Sequence, residues 1–287
     1  MASRSQFSLL GERRFAPLFW TQFLGAANDN LFKFAFTLLA TYRSAEWGGV
    51  DPATAGFVIG AIFIAPFVLL SATAGQVADK VEKGALIRFV KNLEIVVMAV
   101  AAAGFAGRMP ALLYLSVFLM GVHSTLFGPV KYAYLPQHLE DGELTGGNGL
   151  VEMGTFVAIL LGTMAAGFLV RSGEGGATAV AIACLAVAAL GRIAAGFVPR
   201  SPAPEPDLAI NWNPFTETWA NLRVAARDRT VLHSLLGISW LWFVGSIFLT
   251  SFTPFAKDVL GGDENVVTVL LAVFSAGIGL GALACER

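Results

Sequence analysis

At 287 residues, 56% hydrophobic and 14% charged, with a mean hydropathy of +0.68, the chain is too apolar for an ordinary soluble domain, where about 25% of residues are charged; it reads as an all-α membrane protein. A net charge of −1 and the lack of any basic run exclude nucleic acid as a partner. Two cysteines, Cys184 and Cys285, lie in apolar runs and read as packing residues, and no Cys/His spacing calls for a metal or any other cofactor.

The first apolar run, 15–42, is long enough to cross a hydrocarbon core of about 30 Å. It is too long for a signal-peptide core and has no small-residue cleavage site, so it is expected to stay in the mature protein. Gln22, Asp29, Lys33 and Thr37 recur at helical spacing and form one polar stripe, while Phe23, Leu24, Leu31, Phe34 and Leu38 cover the lipid-facing remainder. A charge at the bilayer centre costs about 3 kcal/mol on insertion scales, so the stripe is expected to line a transport path. The alternative is that Asp29 and Lys33, at i and i+4, only neutralise each other.

A second run, 53–78, holds Pro66 near its centre and Gly56 and Gly60 as a small-residue packing face. The third, 85–106, places Arg88 and Lys91 near its start, where their stems can snorkel, with Glu94 a turn deeper. The fourth, fifth and sixth cover 111–128, 148–170 and 177–198. Residues 199–230 break the pattern with a proline-rich stretch and an amphipathic segment carrying Trp219, Leu222 and Val224, which reads as a cytoplasmic linker with a surface helix. Runs 231–255 and 266–285 follow, the last with Gly277 and Gly281 as another close-packing pair. The domain reading is a six-helix bundle (1–198), a linker (199–230) and two helices of a second bundle (231–287). With the N-terminus inside, Arg4, Arg13, Arg14, Lys80, Lys83, Arg88, Lys91, Lys131, Arg192, Arg200, Arg223, Arg227, Arg229 and Arg287 fall on the cytoplasmic side. Outside lie Arg43, Arg108, Arg171 and Lys257, so the positive-inside rule fixes the orientation.

Between the second and third runs, Gly75, Asp79, Lys80 and Gly84 punctuate a charged loop. Gly75 is expected to admit a neighbouring helix, Asp79 to cap or pair across helix ends, and Lys80 and Lys83 to sit at the anionic leaflet. The pattern and its position resemble the loop signature of the major facilitator superfamily, in which this stretch gates the transport path. Three further stretches, Asn28-Asp29-Asn30, 127–132 with Pro129 and Lys131, and 148–152 with Glu152, recur in the same order and on the same spans in the bacterial lysophospholipid transporter branch, which they resemble. The resemblance covers essentially the whole chain. It implies a fold of twelve helices in two halves and movement of lysophospholipid from the outer to the inner leaflet by alternating access. It also implies a place in the bacterial inner membrane, and a possible acyltransferase domain or partner that re-acylates the product. With one half and about two further spans, the chain is expected to be an N-terminal portion. An arginine that the branch can carry in the seventh span has no counterpart in 240–255.

A lysophospholipid offers one tail, a phosphate and, in the ethanolamine form, an ammonium, so its site needs charges of both signs beside an apolar opening. Asp29 suits the ammonium or a coupling proton, Lys33 or Lys131 the phosphate; Asn28, Asn30, Glu94 and Glu152 are the further polar candidates. For Lys131 the alternative is a snorkelling lysine, for Glu152 an acid at a helix N-terminus, and for Glu94 a simple pair with Lys91. His123, with Ser124 and Thr125, reads as a polar helix contact, because no nucleophile elbow or matched acid accompanies it. Phe15, Phe19, Trp20, Tyr42, Trp47, Trp240 and Trp242 read as interface or lipid-facing aromatics. The competing function is a proton-coupled carrier of another small amphipathic solute.

Overall fold

The computed structural model describes residues 6–171, 173–262 and 264–284. Its helices, in chain order, are α1 (Ala16–Tyr42), the single turn α2 (Ser44–Trp47), α3 (Ala55–Lys80), α4 (Lys83–Ala106), α5 (Pro110–His138), α6 (Asp141–Val170), α7 (Gly176–Gly196), α8 (Pro214–Ala225), α9 (Arg229–Pro254) and α10 (Glu264–Ala284). Among the described residues, six helices are long and apolar enough to cross a membrane: α3 to α7, and Arg229–Phe248 of α9. The first run is not among them. At 27 residues it has the length, but its polar stripe lowers its apolarity, and packing supplies the shelter that lipid does not.

That packing runs as a chain of neighbours. α1 lies against α6 and α7, α4 against α7 and α5, α5 against α3, and α10 against α6. Of the residues expected to face lipid on the first run, Leu31 is instead in the core, while Phe23, Leu24, Phe34 and Leu38 are half-buried; Phe15, Phe19 and Trp47, read as interface or lipid-facing aromatics, are core residues too. From Arg229 to Phe248, α9 has no buried residue, and Trp242 is stacked on Phe156 of α6.

Two helix boundaries differ from the sequence reading. α5 continues through Pro129 and Pro136 to His138, because each proline removes one hydrogen bond without stopping a helix held on both sides by α3 and α4. α6 starts at Asp141, where Glu140 and Glu143 form a capping box that satisfies the first backbone donors. Arg14 then clamps this end of α6 to α1, with Nη1 2.6 Å and Nη2 2.7 Å from the two carboxylate oxygens of Glu143.

Close approach of the helices occurs at other glycines than expected. A Cβ on Gly162 would lie 2.3 Å from the Ala27 carbonyl oxygen, and one on Gly121 would lie 2.3 Å from the Phe63 carbonyl oxygen, beside the Pro66 ring. At Gly60, Gly75, Gly277 and Gly281 a Cβ would meet nothing within 4 Å, and at Gly56 it would make an ordinary 3.5 Å contact with Thr37. The small-residue spacing was present, but it fell on faces that do not carry the tight crossings. Cys184 is buried in the core as expected; Cys285, like Arg4 and Arg287, lies outside the described residues.

The buried apolar residues form two clusters, not one. The first joins Leu31 to Ala40 of α1 with Val97 and Met98 of α4 and Leu113 to Met120 of α5. The second joins Phe15 to Phe19 of α1 with Leu86 to Val90 of α4 and Val130 to Leu135 of α5. Residues 22–30, 91–96 and 121–129 of these three helices lie between the clusters. This intermediate layer is where the polar side chains meet.

Candidate functional site

Each helix of the layer brings a polar group to a common centre. Asn28 Nδ2 of α1 donates to Glu94 Oε1 of α4 at 2.7 Å, and Lys91 Nζ, one turn before Glu94, is paired with Glu94 Oε2. His123 Nε2 of α5 stands 3.2 Å from that same Oε2. On the other side of the ring, Nδ1 lies 3.3 Å from Ser124 Oγ, which donates to Asp29 Oδ2 at 2.7 Å. Asn28, Lys91, Glu94 and His123 are all at most 3% exposed, so no solvent screens these charges.

Lys91 does not snorkel, contrary to the sequence reading. It turns inward past two glycines: a Cβ on Gly191 of α7 would lie 2.5 Å from Lys91 Nζ, and one on Gly25 of α1 would lie 3.5 Å from it. The missing side chains make the slot that a buried ammonium needs to reach its carboxylate. Glu94 does pair with Lys91, and it also gathers Asn28 and His123.

Asp29 and Lys33 do not form the i,i+4 ion pair. Asp29 turns to Ser124, and Lys33 Nζ stands 3.8 Å from the centre of the Phe63 ring on α3, a cation–π contact. Both residues are half-buried, and Asp29 Oδ1 is inaccessible. Asn30 Nδ2 is turned back to the Ala26 carbonyl of its own helix at 2.8 Å, outside the cluster. Gln22 leaves the stripe as well, donating to the Val151 carbonyl of α6 at 3.2 Å and accepting from Thr155 at 3.0 Å.

Lys131 and Glu152 form a second, separate group. Seven residues beyond Ser124 on α5, Lys131 lies about 10 Å further along the axis, its Nζ 4.5 Å from the Tyr132 ring centre. The Tyr132 hydroxyl bonds Glu152 of α6. Because α6 begins at Asp141, Glu152 stands three turns inside the helix, too deep for the N-terminal dipole role.

The stretch read as a charged loop is instead the end of α3 and the start of α4, joined at Val81 and Glu82, and the linker binds it. Lys80 Nζ donates to the Leu208 carbonyl at 2.7 Å, the Glu205 N–H to the Asp79 carbonyl at 3.1 Å, and Gln76 exchanges two bonds with the Asn211 backbone. Gly84 admits the linker, since a Cβ there would lie 3.0 Å from the Pro199 carbonyl oxygen. Gly75 lines a cavity of about 360 Å³ with Gln76, Asp79, Glu205 and Glu217, in place of the helix contact expected of it. Lys83 is buried and does not reach a leaflet, and Lys80 is turned to the linker.

Glu82 caps α4 and accepts from Gly84 N–H at 2.7 Å, Ala85 N–H at 2.8 Å and Ser201 N–H at 2.8 Å. Burial pushes its carboxyl up, but the Ser201, Gly84 and Ala85 amides and the Arg88 guanidinium together hold it below the usual carboxylate range. A folded value below the unfolded one stabilises the protein above about pH 4.3, and this stabilisation disappears as pH falls through the folded value. Glu82→Gln is therefore expected to lower the unfolding midpoint at neutral pH, and the gap to the parent is expected to close in acid. Parallel midpoints at both pH values would show that the cap does not titrate with folding.

Of the residues named as candidates from sequence, the structure brings Asn28, Asp29 and Glu94 together and leaves Glu152 apart, while Lys91, His123 and Ser124, not named as candidates, lie in the same cluster. The signal was present as a register: on three helices the polar residues sit at equal depth between apolar stretches.

The major facilitator superfamily pattern matches residues 18–286 of this chain. The lysophospholipid transporter LplT of Serratia proteamaculans is 31% identical over 287 residues, covering 98% of this chain and 67% of that protein. The proteins of the same name from Enterobacter sp. strain 638 and Escherichia coli O7:K1 are each 29% identical, covering 93% of this chain and 64% of theirs. The chain thus spans about two thirds of the length of the curated relatives it matches.

Proposed function

We propose, from the premise that this chain belongs to the major facilitator superfamily, that it moves lysophospholipid between the leaflets of the membrane it crosses. Membership makes it a multi-pass membrane protein of the superfamily's all-helical fold. The observation that carries the substrate reading is the polar layer between the two apolar clusters, where Asp29 turns to Ser124 and Lys33 to the Phe63 ring, so that one helix holds both signs of charge without an ion pair between them. A zwitterionic headgroup satisfies both: its ammonium at the Asp29 carboxylate, its phosphate at the Lys33 ammonium, while the tail lies along apolar helix surface. Asn28 and Glu94 support this first position from within the layer, Asn30 stands beside it on the same helix, and Lys131 and Glu152 offer a second position further along the same path. Transfer proceeds by rocking two bundles about this layer, the first being residues 1–198, with the loop of Gly75, Asp79, Lys80 and Gly84 gating one end. Likeness to proteins named as lysophospholipid transporters supports the same reading.

The end that bears Arg14, Lys80, Lys83 and Arg88 faces the cytoplasm of a bacterial inner membrane under the positive-inside rule. An acyltransferase, fused or separate, then consumes the product. The test follows labelled lysophosphatidylethanolamine between leaflets of proteoliposomes. Asp29→Ala is expected to slow transfer about tenfold or more, the loss expected for one hydrogen bond to a charged group. Unchanged transfer would remove Asp29 from the site.

A further inference from the structure

The polar layer leaves the far ends of α1 and α6 without a task; these lie opposite Arg14 and Lys80 and face outward under the positive-inside rule. Here Leu38, Tyr42 and Arg43 meet Gly167, Val170 and Arg171 across a cavity of about 110 Å³. Of the four cations that fall outside, Arg43, Arg108, Arg171 and Lys257, two therefore stand at one cavity, while Arg108 is paired with Glu46. Arg43 Nη1 donates to the Gly173 carbonyl at 3.4 Å, and no carboxylate among the described residues pairs with Arg43. Gly167 keeps the space open, since a Cβ there would meet nothing within 4 Å. Next to the cavity, Val157, Leu161, Met164 and Phe168 recur at helical spacing as an exposed apolar stripe on α6, with Arg171 one turn beyond Phe168.

Depth identifies the ligand. Arg43 follows Asp29 by fourteen residues, about 21 Å along the helix axis. With the polar layer at the midplane, that height falls in the headgroup zone, about 15 to 22 Å from the bilayer centre. Two guanidiniums at this height match the phosphate of a lipid, whose oxygens accept forked pairs of N–H donors. We propose that Arg43 and Arg171 hold the phosphate of an outer-leaflet phospholipid in this cavity, its tail on the α6 stripe, and that lysophospholipid is loaded from here toward the layer. The contact is with the phosphate alone, so it serves any headgroup. The loading step rests on the lysophospholipid reading; the phosphate site does not.

The first measurement is photocrosslinking in lipid nanodiscs to radiolabelled lysophosphatidylglycerol, with a benzophenone amino acid placed either at Phe168 or, as a control for bulk lipid, at the exposed Ile182 of α7. Stronger labelling at position 168 is expected. It should fall about tenfold or more in Arg43→Gln/Arg171→Gln, the loss expected for hydrogen bonds to a charged group. A similar fall is expected in Gly167→Leu, which fills the cavity and keeps both arginines, whereas Arg43→Lys/Arg171→Lys should retain part of the labelling because it keeps the charge. Equal labelling at the two positions, or labelling at 168 that survives both the glutamine and the leucine variants, overturns the site. Loss of labelling to equimolar inorganic phosphate overturns the lipid assignment in favour of a soluble anion.

The second measurement follows initial transfer rates in proteoliposomes against the mole fraction of lysolipid. Gly167→Leu is expected to raise the half-saturating fraction about tenfold, by the same loss of phosphate contacts. A lower maximal rate with half-saturation unmoved overturns the loading step. No transfer by the parent protein overturns the loading step and the functional reading together, and the labelling at position 168 then judges the phosphate site by itself.

Discussion

Glu94→Gln is expected to destabilise the protein by about 3–5 kcal/mol, the cost of leaving a buried charge without its partner. Lys91 is 1% exposed and Glu94 is not exposed at all, so the ammonium cannot be rehydrated where it stands. Nor can it swing away freely, because its stem is held in the slot between Gly25 and Gly191. The glutamine keeps the shape and can still accept from Asn28, so the loss isolates the charge. Thermal unfolding in detergent reads the effect, and the double variant Lys91→Met/Glu94→Gln is its control. Removing both charges is expected to recover most of the loss, since replacing a buried pair by apolar groups of similar volume is often neutral. If the double variant is as unstable as the single one, Lys91 is not the group that suffers.

Gly162→Leu is expected to have the second large effect, at or above the upper end of the about 1–3 kcal/mol typical of overpacking. Most overpacked side chains find a neighbour that can rotate away. Here the first atom that a new Cβ meets is the Ala27 carbonyl oxygen at 2.3 Å, and behind it the Leu31 amide nitrogen at 3.1 Å, both backbone. α1 and α6 must therefore separate, and the turn that moves is the one carrying Asn28 and Asp29. Gly162→Ala should show the same loss in smaller measure, while Gly60→Ala, with open space around it, should be neutral or slightly stabilising from helix propensity. Unfolding midpoints of the three variants decide the matter; equal midpoints for Gly162→Ala and Gly60→Ala would show that the crossing is not tight.

Both results concern the same few residues because the polar layer and one of the two tightest helix crossings coincide at 27–29 of α1. In an apolar surrounding, van der Waals packing and hydrogen bonds hold helices together, without the hydrophobic drive that acts in water. A small residue that brings α6 close to α1 therefore also fixes where the Asn28 amide and the Asp29 carboxylate point.

Composition alone made this chain an all-helical membrane protein, because a backbone in lipid must satisfy its hydrogen bonds within each segment. Local sequence also put polar residues on one helix, but the stretch of Gly75, Asp79, Lys80 and Gly84, read as a loop, is the end of α3 and the start of α4. Periodicity assigns a residue to a face, but it does not say which helix that face meets. Whether Lys91 points to a headgroup region or into the core, whether Asp29 pairs with Lys33 or with Ser124, and which glycines carry a crossing depend on neighbours from 60 to more than 130 residues away. Only the packing of α1 with α3 to α7 decided these. It turned His123 from an isolated polar contact into the link between two buried carboxylates, because three helices place their polar residues at one depth, and buried charge is stable only where such groups converge.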